Sequence, residues 1–266
     1  MRRLKMQPRS FAKGSQIEAL GGNIVAAKAF SRKQAIFNEK AMQYARQGVI
    51  TTPGFLRLET LLANSGAATS LNQITFNTLD TSGTKQPTER RLKLSDTFTV
   101  TSYSFYIGTG VTGALLAGAP TAVQQAQEQL HTFPNIQVAA IGAQSPAIEA
   151  LYNGFLSLRV DTTTFLDSVP MRQFYRVGDV QEGTVYGTAG TVTNKSSWPA
   201  GMWGRTELLP TIELNGQANI DWSITLPTNI PYTQVAATFT NAVLVLEGFL
   251  NQGAATVQRG VQKRLR

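Results

Sequence analysis

Residues 211–250 read TIELNGQANIDWSITLP (211–227), TNIPYTQ (228–234) and VAATFTNAVLVLEGFL (235–250), the most apolar and most strand-patterned part of the chain. Ile220, Trp222, Ile224 and Leu226 recur at spacing two, so a strand places all four on one face and leaves Asp221, Ser223 and Thr225 on the other. From Ala242 to Leu250 the alternation gives way to AVLVLEGFL, the pattern of a strand covered on both faces. The link between the first two strands tests the geometry. Asn215-Gly216 invites a two-residue hairpin, but that turn pairs Ile212 with Asn219 and Leu214 with Gln217, which puts the apolar sets on opposite sides. A three-residue loop, or a crossing from one sheet of a sandwich to the other, keeps Ile212, Leu214, Ile220 and Trp222 on one core, and the crossing is the favoured expectation.

Working outward, short β-patterned runs fill most of residues 51–258. Expected strands are Phe55–Leu61, Leu71–Leu79, Leu92–Leu94, Thr97–Ile107, Phe155–Val160, Thr163–Leu166, Gln173–Val177, Thr184–Tyr186 and Glu207–Leu214. Within Thr97–Ile107, Phe98 and Val100 share one face while Tyr103, Phe105 and Ile107 share the other, so a bulge or break is expected near Thr101. Short helices are expected over 120–130, and over 145–152 with Ser145 as N-cap and Pro146 in the first turn. The fold class is all-β: a jelly-roll sandwich with short helices in its connections and an amphipathic helix before it. The strand count falls between the eight of one jelly roll and the sixteen of two. Two are favoured, divided as 51–154 and 155–258, with a basic arm and helix over 1–50 and a basic tail over 259–266.

That leading helix is expected from Ala26 to Gln47, closed by Gly48. Phe30, Phe37 and Tyr44 form an aromatic stripe with Ala26 and Ala41, flanked by Lys33 and Lys40, with Lys28, Arg32 and Arg46 on the far side. Such a helix suits a lipid surface, a neighbouring subunit or its own domain.

Charge is segregated. The chain of 266 residues carries a formal charge of +8. Residues 1–50 hold ten Lys/Arg against two Glu, and residues 259–266 hold Arg259, Lys263, Arg264 and Arg266 with no acid; the remaining body has ten basic and fourteen acidic residues. Basic ends on a mildly acidic body point to an anionic partner, either nucleic acid or lipid headgroups. No run of eighteen apolar residues is present, so no membrane span is expected. The Arg-rich, acid-poor start MRRLKMQPRSFAKGS mimics a mitochondrial transit peptide but lacks an apolar signal core, and it is read as a mobile arm.

The catalytic vocabulary is thin. There is no cysteine and one histidine, His131, which excludes thiolate chemistry and any multi-histidine metal site or histidine triad within the chain. Asp161, Asp167, Asp179, Glu182, Glu207, Glu213 and Asp221 show no metal-ligand spacing. Gly108-Thr-Gly110-Val-Thr-Gly113 matches G-x-G-x-x-G after a strand, but Gly118 and Pro120 leave no room for the helix a dinucleotide site needs. Trp198 and Trp203, with Tyr186 nearby, could form a stacking platform for sugars or bases. No enzymatic activity, metal or cofactor is expected.

The basic arm and helix, the uncharged Thr/Asn-rich β body and the late core strands ANIDWSITLP and NAVLVLEGFL resemble the major capsid proteins of tailless, membrane-containing icosahedral bacteriophages. The resemblance implies a double jelly roll and a homotrimer tiling an icosahedral shell beside penton or minor capsid proteins, assembled in the host cytoplasm. It also implies that Arg2, Arg3, Lys5, Arg9 and Lys13 of the arm and Lys28, Arg32, Lys33 and Lys40 of the helix face the internal membrane or the packaged genome. The alternative is a single β-sandwich binding glycans or single-stranded nucleic acid through Trp198 and Trp203.

Overall fold

The structure is a computed structural model that describes residues 24–45, 47–63, 68–81, 88–111, 129–134, 144–176, 205–236 and 238–256. Helix α1 (Ile24–Ala45) leads into strand β1 (Ile50–Leu61) through Gly48, whose φ of +71° is the left-handed value that ends many helices. Then follow β2 (Ala68–Asn77), β3 (Thr97–Val111), β4 (Gln129–His131), α2 (Ser145–Leu151), β5 (Phe155–Val160), β6 (Thr163–Pro170), a 3-10 turn (Met171–Phe174), β7 (Thr206–Asn215), β8 (Ile220–Thr233) and β9 (Thr238–Gln252).

All pairings between these strands are antiparallel, and they are nested. The first strand pairs with the last, β1 with β9; β2 pairs with β8, β3 with β7, and β5 with β6. Two further pairings, β3 with β9 and β5 with β8, roll this ribbon into two sheets. One has the order β1-β9-β3, with β7 and β4 sharing the far edge of β3; the other has the order β2-β8-β5-β6. Every connection between consecutive members of the nested set crosses between sheets, except the hairpin from β5 to β6.

The Asn215-Gly216 link is one of these crossings, the favoured of the two connections that parity allows: β7 lies in the first sheet and β8 in the second. Asn215 Oδ1 accepts a hydrogen bond from the Gln217 amide at 2.9 Å, and the Gly216 amide donates to the Asp96 carbonyl at 2.9 Å. A β-carbon at Gly216 would lie 2.2 Å from the Lys93 carbonyl oxygen, so the crossing admits only glycine. Ile212, Leu214, Ile220 and Trp222 all enter one core.

That core is continuous between the sheets and draws on both halves of the sequence, from Leu56 and Leu58 to Leu244 and Leu246. Aromatic rings bridge it. The Tyr103 ring of the first sheet sits 6.2 Å from that of Trp222 of the second, and the Phe105 ring meets Tyr152, just after α2, edge-on at 5.7 Å. Each large side chain buried in this way contributes about 1.5–3 kcal/mol of transfer free energy. The sheets do not respect the boundary expected between 154 and 155. Each takes strands from both sides of it, and among the described residues one sandwich core runs from Leu56 to Leu246.

The bulge expected near Thr101 is present: the register of β3 against both β7 and β9 shifts between Val100 and Ser102. Gly248 of β9 makes it possible, since a β-carbon there would lie 1.8 Å from the Thr99 carbonyl oxygen. Strand β9 is buried on both faces through its centre, as its sequence predicts. Other details differ. Helix α2 starts at Ser145 with Gln144 as its cap residue, and the segment expected as a strand from Gln173 begins within the 3-10 turn. Leu92–Leu94 makes only an isolated bridge to Leu79, and Gln129 and Leu130, expected to end a helix, belong to β4. The rest of that helix and the Thr184–Tyr186 strand lie outside the described residues.

Candidate functional site

Helix α1 lies across the outer face of the first sheet, and its charges decide which way it turns. Lys40 Nζ donates to Glu213 Oε2 on β7 at 2.8 Å, Arg32 Nη1 meets Glu207 Oε2 at 3.4 Å, and Lys33 Nζ lies 3.7 Å from Glu247 Oε2 on β9. Lys33 also donates to Ser102 Oγ at 3.3 Å, while Arg205 pairs with the other oxygen of Glu247. The Tyr44 hydroxyl donates to Glu213 Oε1, and the Phe37 ring stacks at a tilt on Phe249 with 5.3 Å between centroids. Near the helix end, Tyr44 is buried with Val49 and Ala254.

The expected stripe of Phe37 and Tyr44 flanked by lysines is therefore the face turned to the sheet. Arg32, read as lying on the far side, also reaches the sheet through Glu207. The solvent face between 34 and 45 carries Gln34, Ala35, Asn38, Glu39, Met42, Gln43 and Ala45. Burial pushes the Lys33 ammonium below the ordinary lysine value, Arg205 adds to that effect, and Glu247 and Glu207 oppose it. Three of the nine cations expected to face an anionic surface, Arg32, Lys33 and Lys40, are thus spent on glutamates of the chain's own sheet. The Lys28 side chain and residues Arg2, Arg3, Lys5, Arg9 and Lys13 lie outside the described residues, as does the tail from 259.

From sequence alone Glu207 and Glu213 stand out only as scattered acids, and Glu247 does not stand out at all. Glu207 and Glu213 flank the core-facing Leu208, Ile212 and Leu214 of β7, and Glu247 is the single charge in AVLVLEGFL. An acid within a strand covered on both faces was the signal that a cation packs against it.

A second ionic group closes the free edge of β1. The segment around Arg90 bridges Arg57 by two backbone hydrogen bonds of 2.9 and 2.8 Å. Beside it Arg91 makes a bidentate pair with buried Glu89, both contacts at 2.8 Å, while Glu59 accepts from Thr88 Oγ1 at 2.7 Å and pairs with Arg57 at 2.6 Å. Such a clip covers an edge that would otherwise offer open hydrogen bonds.

The other sequence candidates are dispersed. Gly108 and Gly110 lie inside β3, paired with Asn241 and Phe239 of β9, so they form no phosphate-binding turn. His131 on β4 is part-buried with Nε2 3.1 Å from Thr109 Oγ1, and burial lowers its pKa. Asp161 accepts the Asn219 amide at 2.8 Å, Asp221 pairs across the strands with Arg159, and Asp167 is exposed on β6. Asp179, Glu182, Tyr186, Trp198 and Trp203 lie outside the described residues. Among the described residues, no group of three His, Cys, Asp or Glu could hold a metal, and no helix is long and apolar enough to cross a membrane. No protein-family model matches the chain, and no curated protein or solved structure matches it.

Proposed function

We propose that this chain is a virion structural protein, a major capsid subunit built as a jelly roll. The observation that carries the reading is the nested strand order, in which β1, β2, β3 and β5 pair with β9, β8, β7 and β6. Nested pairing of this kind supports a jelly roll, the architecture of many viral capsid domains. Eight strands make one roll, and both halves of the sequence serve both sheets, so this reading keeps the capsid part of the resemblance and replaces two rolls by one.

In this reading homotrimers tile an icosahedral shell beside penton or minor capsid proteins, assembled in the host cytoplasm. The basic ends, with Arg2, Arg3, Lys5, Arg9 and Lys13 in front and Arg259, Lys263, Arg264 and Arg266 behind, face the packaged genome or an internal lipid membrane. The inward-facing part of α1 is a structural strut rather than part of that anionic interface. Enzymatic chemistry and cofactors have no place in it. Deletion of residues 1–23 tests the partner assignment: the shortened protein should keep its fold and lose nucleic acid or lipid from assembled particles. Retention of the full nucleic acid and lipid content would overturn that assignment.

A further inference from the structure

We infer that Asn153-Gly154, at the exit of α2, is a self-modification site of the folded chain, where the asparagine converts to aspartate or isoaspartate, and that Asn215-Gly216 is held inert by the sheet crossing. The inference concerns the subunit itself and stands apart from the capsid reading.

The chain contains Asn-Gly twice, at these two places. The chemistry open to both is the same. The glycine nitrogen attacks Cγ of the asparagine, the new C–N bond closes a five-membered imide, and the Cγ–Nδ2 bond breaks as ammonia leaves with the proton of the glycine amide. Water then opens the imide at either carbonyl, giving aspartate or isoaspartate. Glycine favours closure because no β-carbon crowds the ring. Closure also needs a glycine amide that can leave its hydrogen-bond acceptor, and a backbone that can open locally.

At Asn215-Gly216 both needs are opposed by distant parts of the chain. The Gly216 amide donates to the Asp96 carbonyl at 2.9 Å, Asn215 Oδ1 accepts the Gln217 amide at 2.9 Å, and Asn215 is in register with Thr97 of β3. Gly216 is buried, and a β-carbon there would lie 2.2 Å from the Lys93 carbonyl oxygen. Asp96 is fixed in turn, since its Oδ1 accepts the Gly253 amide at 2.9 Å. Freeing the Gly216 amide therefore means opening the crossing between the sheets.

At Asn153-Gly154 the amide bonds are local. The Gly154 amide donates to the Leu151 carbonyl and the Asn153 amide to that of Ala150, both at 3.1 Å, so both bonds belong to the last turn of a seven-residue helix. Helix ends fray at low cost. Asn153 is exposed to water, and its Oδ1 accepts from Arg172 Nε at 3.1 Å. An aspartate there keeps that contact and strengthens it by charge. Gly154 packs against Thr225 and Leu226 of β8, so the site reacts more slowly than in an unfolded chain.

Peptide mapping by mass spectrometry tests the difference. The full-length protein is incubated at pH 8.5 and 37 °C in buffer and, in parallel, in 6 M guanidinium chloride. In the denaturant both sites should convert at rates within about twofold of each other; in buffer Asn153 should slow by about three- to tenfold, and Asn215 should run at least about tenfold behind Asn153. The product variant Asn153→Asp should fold and keep the thermal midpoint of the unmodified chain. Three results would overturn the inference: Asn215 converting in buffer as fast as Asn153, Asn153 unchanged in buffer after ten times the period that converts half of it in denaturant, or a large fall in the midpoint of Asn153→Asp.

Discussion

Lys40 of α1 and Glu213 of β7 meet at 2.8 Å, and the same carboxylate takes the Tyr44 hydroxyl on its other oxygen. One glutamate thus fastens two successive turns of the helix to the edge of the first sheet. Truncation of Glu213 removes both contacts at once, whereas truncation of Lys40 leaves the tyrosine bond in place. Glu213→Ala should cost about 1–3 kcal/mol, and Lys40→Ala less than about 1 kcal/mol. Urea unfolding of the two variants and their double mutant measures the coupling.

Gly248→Ala should be among the most damaging single changes in the sheet. The added methyl would lie 1.8 Å from the Thr99 carbonyl oxygen, a backbone atom that moves only if the β3 bulge moves with it. A loss of about 3 kcal/mol or more is expected from such overpacking. Gly54→Ala, where a methyl meets only side-chain atoms at 3.7 Å or beyond, is the matched control on β1. Thermal unfolding of both distinguishes a need for glycine at the bulge from a general intolerance of the sheet.

The Glu89–Arg91 pair is buried, so removing Arg91 takes a bidentate partner from a buried carboxylate. Arg91→Met should destabilise by about 3–5 kcal/mol. Because the pair supports the clip on the edge of β1, amides of β1 should lose protection more than those of β8, which hydrogen exchange resolves.

Alkaline pH provides a further test. Burial raises the phenol pKa of Tyr103, Tyr152 and Tyr232 above the ordinary value of 10.0, so each stays protonated in the fold at pH values where the unfolded chain ionises. Their contribution to stability is complete below pH 10 and falls as pH rises beyond it. The Tyr152 hydroxyl is buried with no hydrogen-bond partner among the described residues. Tyr152→Phe should therefore cost less than about 0.5 kcal/mol at pH 7, or stabilise slightly, and should shift alkaline unfolding to higher pH. A large loss at neutral pH would show that the hydroxyl has a partner after all.

The strands were legible where one face is buried and the other open. Ile220, Trp222, Ile224 and Leu226 specify the inward face of β8, and Phe98, Val100, Tyr103 and Phe105 reveal the bulge because a single parity change is visible in apolar spacing. At Asn215-Gly216 parity excluded the two-residue hairpin and left a three-residue loop or the sheet crossing that the structure has. Two limits were physical. Pattern fixes which way a side chain points but not which strand lies beside it, so the nested pairing, and with it one core rather than two, could not be read from a strand count. The second limit concerns α1: an amphipathic basic helix has the same pattern whether its cations meet phosphates or glutamates, and only the placement of Glu207, Glu213 and Glu247 decides for Arg32, Lys33 and Lys40.

The proposed shell is built from trimers. The mass of the purified full-length protein, measured by light scattering at high salt where adventitious phosphate binding is screened, tests it most directly. The account predicts a species of about 86 kDa, three copies of the 28.8 kDa chain, or larger closed particles. A clean monomer at all concentrations would contradict it and favour a single sandwich that binds glycans or single-stranded nucleic acid.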